Sequence, residues 1–247
     1  MRSAGTEAVW AIVPVKGLAR AKTRLARVLS PSARRELVLA MFEDVLDILR
    51  GTQGIGPILV VTADPKIAAL GERKRATILR ESRSSGLNAA LRRGARHAHR
   101  EGAKRVLFIP ADVPLATPAE IGRIVSGARP SERRSAVIVP ARLGGGTNAL
   151  MLSPSDALSP SFGEDSFARH CRQAFERGLE PQVVRLRGLS HDIDEPSDLA
   201  ALFEAKRGSA RYALLHAVLR DHEIRRKTSP RIMMKTVPAA PMGVSEP

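Results

Sequence analysis

At 247 residues the chain can bury one sizeable α/β core or, at a stretch, two small ones. Lys+Arg 40 against Asp+Glu 25 leaves +15 and selects anionic partners, while 3% aromatics weigh against single-stranded nucleic acid, whose bases stack on aromatic rings. The lone Cys171 excludes an internal disulfide and a cysteine zinc cluster, no apolar run nears the roughly 20 residues of a membrane span, and Met1–Ala8 lack a secretory core, so a cytoplasmic protein is expected.

In chain order, Ala8–Val15 (AVWAIVPV) is a first, buried strand, followed by a basic loop over Lys16–Leu25. Ser30 as N-cap and Pro31 at the first helical position open a helix whose stripe is Leu37, Met41, Val45 and Ile48, and Gly51 stops it. Ile58–Thr62 is the second strand, Asp64-Pro65 begins a helix, and Ile78-Leu79 is a short third strand. Asn88–Gly102 is helical and very basic. Val106–Ile109 (VLFI), bounded by Lys104-Arg105 and Pro110, is a central strand, and Pro118–Val125 is a helix. Ala136–Val139, Ala149–Leu152 and Val183–Leu186 are later strands; Asp165–Arg177 and Pro196–Phe203 are late helices. This alternation predicts a three-layer α/β sandwich with a mostly parallel sheet over residues 1–207. From Ala205 onward nine Lys/Arg face three Asp/Glu, so residues 208–247 read as a basic tail. Tyr212–Leu219 can form an amphipathic helix there, and the Pro- and Lys-rich stretch beyond Thr228 is expected to be disordered.

Open α/β sheets bind ligands outside the carboxyl ends of their strands. The loop after the first strand, PVKGLARAKTRL, carries Lys16, Arg20, Lys22 and Arg24, with Gly17 permitting close backbone approach. It suits a polyphosphate, or else is a solvated basic turn. Asp112, in PADVPL after the VLFI strand, is poorly solvated unless a cation meets it. Magnesium, held through one or two carboxylates, is the usual partner where phosphates are present; an Asx-turn before Pro114 is the plain alternative. Asp192 and Asp194 project to one side of an extended segment, where they can join a cation site or cap the helix at Pro196. GGGTNAL, Gly144–Leu150, is a glycine turn entering a strand, and FGEDSF, Phe162–Phe167, runs into a helix start whose amides and dipole favour an anion. Thr147 and Ser166 would add hydroxyl donors. His170 and Cys171 on that helix read as packing or surface groups, and His97 and His99 show no metal-ligand spacing.

The order of these motifs carries more than any one of them. VPVKGLARAKTRLA, GLNAAL at Gly86–Leu91, ADVPL, GGGTNAL, FGEDSFARH and DIDEPSDL together resemble the CofC/FbiD guanylyltransferases of deazaflavin coenzyme F-420 biosynthesis. These are similar to the molybdenum-cofactor-type nucleotidyltransferases, with a GT-A-like fold, and the resemblance covers Val9–Phe203. It implies an enzyme that joins GTP to a phosphorylated three-carbon acid (2-phospho-L-lactate, phosphoenolpyruvate or 3-phospho-D-glycerate), releases diphosphate, and passes its product to a downstream transferase. It implies Mg2+ on Asp112 and Asp194, and acid binding by Thr147, Gly163 and Ser166. Lys16, Lys22 and Arg24 would be the catalytic cations on the nucleotide phosphates, beside Gly17, with Asn88 near the nucleoside. This chain has Gly144-Gly145-Gly146 where many relatives carry an acidic residue before Gly-Thr, and Glu164 where they often carry Pro. The attacking phosphate oxygen in such a reaction is already ionised, so no general base is required and catalysis is electrostatic. Two other readings compete: a nucleotide-sugar glycosyltransferase, which shares an α/β nucleotide fold and an Asp-x-Asp motif, and a nucleic-acid-binding module resting on the charge of +15. Six ordered motifs and few aromatics place the nucleic-acid module last, and the glycosyltransferase remains the alternative.

Overall fold

The computed structural model describes residues 8–83, 85–127 and 134–217. Among the described residues seven strands form one sheet: β1 (Val9–Pro14), β2 (Ile55–Thr62), β3 (Thr77–Arg80), β4 (Val106–Phe108), β5 (Ser135–Pro140), β6 (Thr147–Ser153) and β7 (Gln182–Val183). Their order is β3-β2-β1-β4-β6-β5-β7. Only β6 is reversed, antiparallel to β4 and to β5, while every other pairing is parallel. The expected mostly parallel sheet is therefore present, with one reversal that matters. It brings Thr147, the first residue of β6, to the edge where the carboxyl ends of β1 and β4 open.

The strands are apolar on both faces because helices cover both, as parallel connections require. Ala11, Val13, Val60, Leu107, Val137 and Met151 face one core, packed on α1 (Pro31–Arg50), α2 (Pro65–Arg73) and α4 (Pro118–Gly127). Their alternating neighbours Ile12, Leu59, Phe108, Ile138 and Leu150 face a second core, under α3 (Leu87–Arg100) and α5 (Ser166–Glu176). This is the three-layer sandwich. The helix starts follow their capping chemistry: Ser30 Oγ accepts from Ala33 N at 3.2 Å, and Asp64 Oδ1 accepts from Lys66 N at 2.9 Å.

A third core lies on the far side of α1 and reaches the site. It joins Leu37 and Met41 of α1 to Leu25 in the basic loop, to Ile193 between the two late aspartates, and to Leu199 and Leu202 of α6 (Pro196–Ala205). Burying Leu25 completely contributes about 2 kcal/mol toward holding that loop down. Gly188 lets the segment before the aspartates lie against Leu115, since a Cβ there would fall 2.0 Å from the Leu115 carbonyl oxygen.

Several boundaries differ from the sequence reading, most by one or two residues, and three bear on the packing. β2 starts at Ile55 rather than Ile58, because the parallel partner β1 pairs through Val9↔Ile55 despite the intervening Gly56-Pro57. β7 spans two residues rather than Val183–Leu186; after Val184 N donates to Ile138 O, the chain turns inward and buries Leu186. The packed region also continues past residue 207, where the domain was expected to end. Tyr212 and Leu215 are buried in the third core, and the Tyr212 hydroxyl donates to Asp44 Oδ2 at 2.9 Å. Arg211 pairs with Glu43, Asp44 and Asp47 of α1, which fastens this segment to the domain. Residues 213–217 are helical, as the amphipathic pattern predicts; the stretch beyond Thr228 lies outside the described residues.

Candidate active site

After Pro14 the chain makes two 3-10 turns, Leu18–Arg20 and Thr23–Arg27. Asp64 anchors the first, its Oδ2 accepting from Leu18 N at 2.9 Å while its Oδ1 caps α2. Between the turns Lys22 adopts a left-handed backbone, φ 45° and ψ 54°. That conformation is uncommon for a residue with a Cβ and is found where function sustains strain. It directs the ammonium inward: Lys22 Nζ lies 2.6 Å from Asp112 Oδ2 and 3.1 Å from Asp194 Oδ1, with its side chain only 9% exposed. Burial alone would lower the Lys22 pKa, but the Asp112 and Asp194 carboxylates outweigh it and hold the pKa above its ordinary value. Arg24 Nη1 donates to the other Asp194 oxygen at 2.9 Å.

Two segments distant in sequence bring these carboxylates together. Ile193 N donates to Asp112 O at 2.9 Å, which ties the loop after β4 to the one before α6. Asp194 does not cap α6. The N-cap is Glu195, in a capping box with Asp198, whose Oδ2 accepts from Asp194 N at 3.1 Å and Glu195 N at 2.8 Å. Asp198 is held in turn by Arg142 at 2.9 Å and His191 at 3.2 Å. Burial would raise its carboxyl pKa, yet these donors keep it below the usual range. Asp192 also faces inward, accepting from Asn148 Nδ2 at 3.1 Å. Burial, with the Asp112 charge nearby, pushes its carboxyl pKa up.

A cleft of about 380 Å³ opens here, lined among others by Lys16, Gly17, Lys22, Arg24, Asp112 and Asp194. Lys16 is exposed at its mouth. Gly17 is not required by the fold, since its φ of −58° is ordinary and the nearest atom to an added Cβ is 3.7 Å away. A larger cleft, about 870 Å³, lies between α3 and residues 155–160; no residue of the candidate site lines it. Convergent charge, not size, marks the smaller one.

Two carboxylates meeting on one ammonium form a point where a hard cation fits. Among the described residues no set of three or more His, Cys, Asp and Glu joins there, so such an ion would need oxygens from water and phosphate, as magnesium does. Asp112 and Asp194 are the residues that would hold it.

The expected acid-binding residues form an adjoining cluster. Asn148 joins it to the first through Asp192, and its neighbour Thr147 stands at the start of β6, beside the N-terminus of α5 where Ser166 is the first helical residue. Ser166 is fully buried and its Oγ has no hydrogen-bond partner. Gly163, at φ 115°, occupies a conformation that only glycine enters readily, and Gly144 and Gly145 are also left-handed. Gly145 O accepts from Phe167 N at 3.0 Å, so the glycine turn folds over the helix N-terminus. His170 Nδ1 is 3.0 Å from Thr147 Oγ1, and its Nε2 is 3.0 Å from Ser161 N. A packing or surface role was expected for His170; the ring is buried against Phe162 and also ties β6 to the loop before α5. The pattern of one His four residues after Ser166 was visible, but its partners were not.

Asn88, expected near the nucleoside, also reaches the acid-side loop. Its amide makes a two-way bond with the Phe162 backbone, Nδ2 to O at 2.9 Å and Oδ1 from N at 2.7 Å, so it clamps the acid-side loop.

Comparisons with known proteins bear on this geometry. The profile of the family described as "Guanylyl transferase CofC like" matches residues 9–236. The chain belongs to that family. It is 41% identical to the phosphoenolpyruvate guanylyltransferase of Conexibacter woesei over 218 residues, 86% of this chain and 97% of that protein. It is 38% identical to the 2-phospho-L-lactate guanylyltransferase of Methanothermobacter thermautotrophicus, covering 78% and 82%, and 36% identical to the 3-phospho-D-glycerate guanylyltransferase of Phenylobacterium zucineum, covering 76% and 86%. A nucleotidyl transferase structure from Methanothermobacter thermautotrophicus superposes with TM-score 0.58 at 19% identity, covering 80% of this chain and 97% of that one. The protein is thus a nucleotidyltransferase enzyme of the guanylyltransferase kind, and the family match extends beyond Phe203, where the sequence resemblance was placed. No described helix is long and apolar enough to cross a membrane.

Proposed function

We propose that this guanylyltransferase condenses GTP with a phosphorylated three-carbon acid and releases diphosphate, in the cytoplasmic synthesis of coenzyme F-420. The observation that carries the reading is the convergence of Asp112 and Asp194 on Lys22 at the mouth of the charged cleft. Relatives at 41–43% identity are named for phosphoenolpyruvate, which makes it the first acid to try.

In this reading the acid's phosphate oxygen bonds to the α-phosphorus of GTP as the bond to the β-phosphate oxygen breaks. Both are anionic, so no proton needs to be removed, and the barrier is repulsion and charge on the departing diphosphate. Lys16, Lys22 and Arg24 offset that charge, and Gly17 leaves room for phosphate beside the backbone. Magnesium bound at Asp112 and Asp194 would supply further charge stabilisation and orientation. Lys22 then has to leave its present position between the two aspartates and turn to the phosphates. Thr147, Ser166 and the α5 N-terminus bind the acid, which must part the Gly144–Gly146 turn from Phe167 to reach both hydroxyls. Asn88 acts on the acid-side loop through Phe162. A downstream transferase would consume the product.

The test supplies GTP and magnesium with each of the three acids in turn and measures diphosphate. Release that depends on one acid is expected; release with none of them would overturn the reading.

A further inference from the structure

The bonds around His170 constrain where a proton sits at the acid pocket. The Ser161 amide can only donate, so the Nε2 atom it meets at 3.0 Å has to be an unprotonated acceptor. The ring is fully buried, and burial, with the Arg169 guanidinium nearby, lowers its pKa to about 4. It is therefore neutral with its proton on Nδ1, and Nδ1–H donates to Thr147 Oγ1 at 3.0 Å. The Thr147 oxygen is thereby used as an acceptor, which leaves its own hydroxyl hydrogen to be donated elsewhere. Nearby, the Ser166 hydroxyl is wholly buried without a partner, a costly arrangement unless a ligand completes it.

We propose that His170 is a positioning residue, whose Nδ1–H turns the Thr147 hydroxyl into a donor toward the phosphorylated acid, beside the unpaired Ser166 hydroxyl. This rests on the reading of Thr147 and Ser166 as acid-binding residues. His170 itself touches no substrate; it acts through Thr147 and, by way of Ser161, through the loop leading to Gly163.

Two substitutions separate the two ring nitrogens. In His170→Asn the amide nitrogen falls where Nδ1 was, so the donor to Thr147 is kept. In His170→Gln the amide group falls near Nε2, so the Ser161 bond can be kept while the donor to Thr147 is lost. With the acid that supports diphosphate release in the wild type, His170→Gln should raise the acid's Michaelis constant about ten-fold and leave that for GTP unchanged. His170→Asn, which keeps the donor to Thr147 but loses the Ser161 bond, should raise the acid's constant less than His170→Gln does. Thr147→Val should match His170→Gln, and the double variant should be no worse than either alone. Nitrogen NMR of the wild-type ring should show protonated Nδ1 and bare Nε2. Equal effects of Asn and Gln, additive effects in the double variant, or the opposite tautomer would overturn the proposal. A Thr147→Val enzyme with an unchanged constant for the acid would instead overturn the acid-site reading beneath it.

Discussion

On the β1–β4 side of the site, charge is met by charge: Lys22 sits between Asp112 and Asp194, and Arg24 takes the remaining Asp194 oxygen. On the β6–α5 side the hydroxyls and the imidazole are neutral and nearly sealed, with His170 bound to Thr147 and Ser161, and Ser166 unpaired. Beyond the β4–β6 pairing, a side-chain hydrogen bond from Asn148 to Asp192 links the two sides. On the charged side an incoming cation would take the place of the internal ammonium between two carboxylates that already converge. The neutral side stores its affinity in donors with nothing to donate to. One half should respond to loss of charge, the other to loss of a single hydroxyl.

The largest effect should come from the charged side. Asp112→Asn preserves shape and removes the charge, and turnover should fall by about a hundred-fold or more. The fold should survive, because Lys22 retains Asp194 at 3.1 Å. Steady-state rates in saturating magnesium with a melting curve would check this; a near-normal rate would erase the contrast between the halves.

Next comes Ser166→Ala, which should raise the Michaelis constant for the acid about ten- to a hundred-fold and leave that for GTP alone. A helix-cap role would predict lost stability. Here Ser166 is the first helical residue and its Oγ bonds nothing, so the melting temperature should hold. A defect for GTP equal to that for the acid would merge the two halves into one.

His170 sharpens the contrast through pH. Its folded pKa of about 4 lies below the ordinary 6.5, so the unfolded chain binds the proton first as pH falls. The stability it contributes is complete above pH 6.5 and is lost on descent toward pH 4, by up to about 3 kcal/mol. Urea midpoints of the wild type and His170→Asn across that window should converge at low pH. Parallel curves would mean that the ring titrates alike in the folded and unfolded chain.

The smallest effect tests backbone strain. Lys22→Gly and Lys22→Ala both lose the ammonium, but glycine enters the left-handed region freely. The Gly variant should be more stable by about 1 kcal/mol. Equal melting temperatures would show that the loop relaxes and that the φ of Lys22 is not held by the site.

The helices were legible where chemistry at their ends is local. Ser30-Pro31 and Gly51 bracketed α1, and Asp64-Pro65 opened α2, because a cap and a proline act within one turn. β7 was misjudged because VVRL carries strand propensity, while the length of an edge strand depends on its partner, and β5 offers only a short register. The domain end was misplaced because the charge count over residues 208–247 averaged Arg211 with distant residues. In three dimensions Arg211 belongs to the carboxylates of α1. Asp112 and Asp194 could be nominated from strand tips and spacing. Asp198 and Asp64, which hold the site in shape, looked like ordinary helix-start acids.

What the sequence by itself determined is the set of elements, the three layers, the charged loop and the family, since each rests on patterns within a few residues or on motifs in a fixed order. Only the tertiary structure decided which of those groups answer one another. The Ile193–Asp112 backbone bond places Asp194 beside Asp112, and the reversal of β6 sets Thr147 against His170. Hydrogen bonds act over about 3 Å, and Lys22 and Asp194 are 172 positions apart in the chain. No local pattern records a contact of that kind; it exists only once the cores under β1, β4 and α6 have packed.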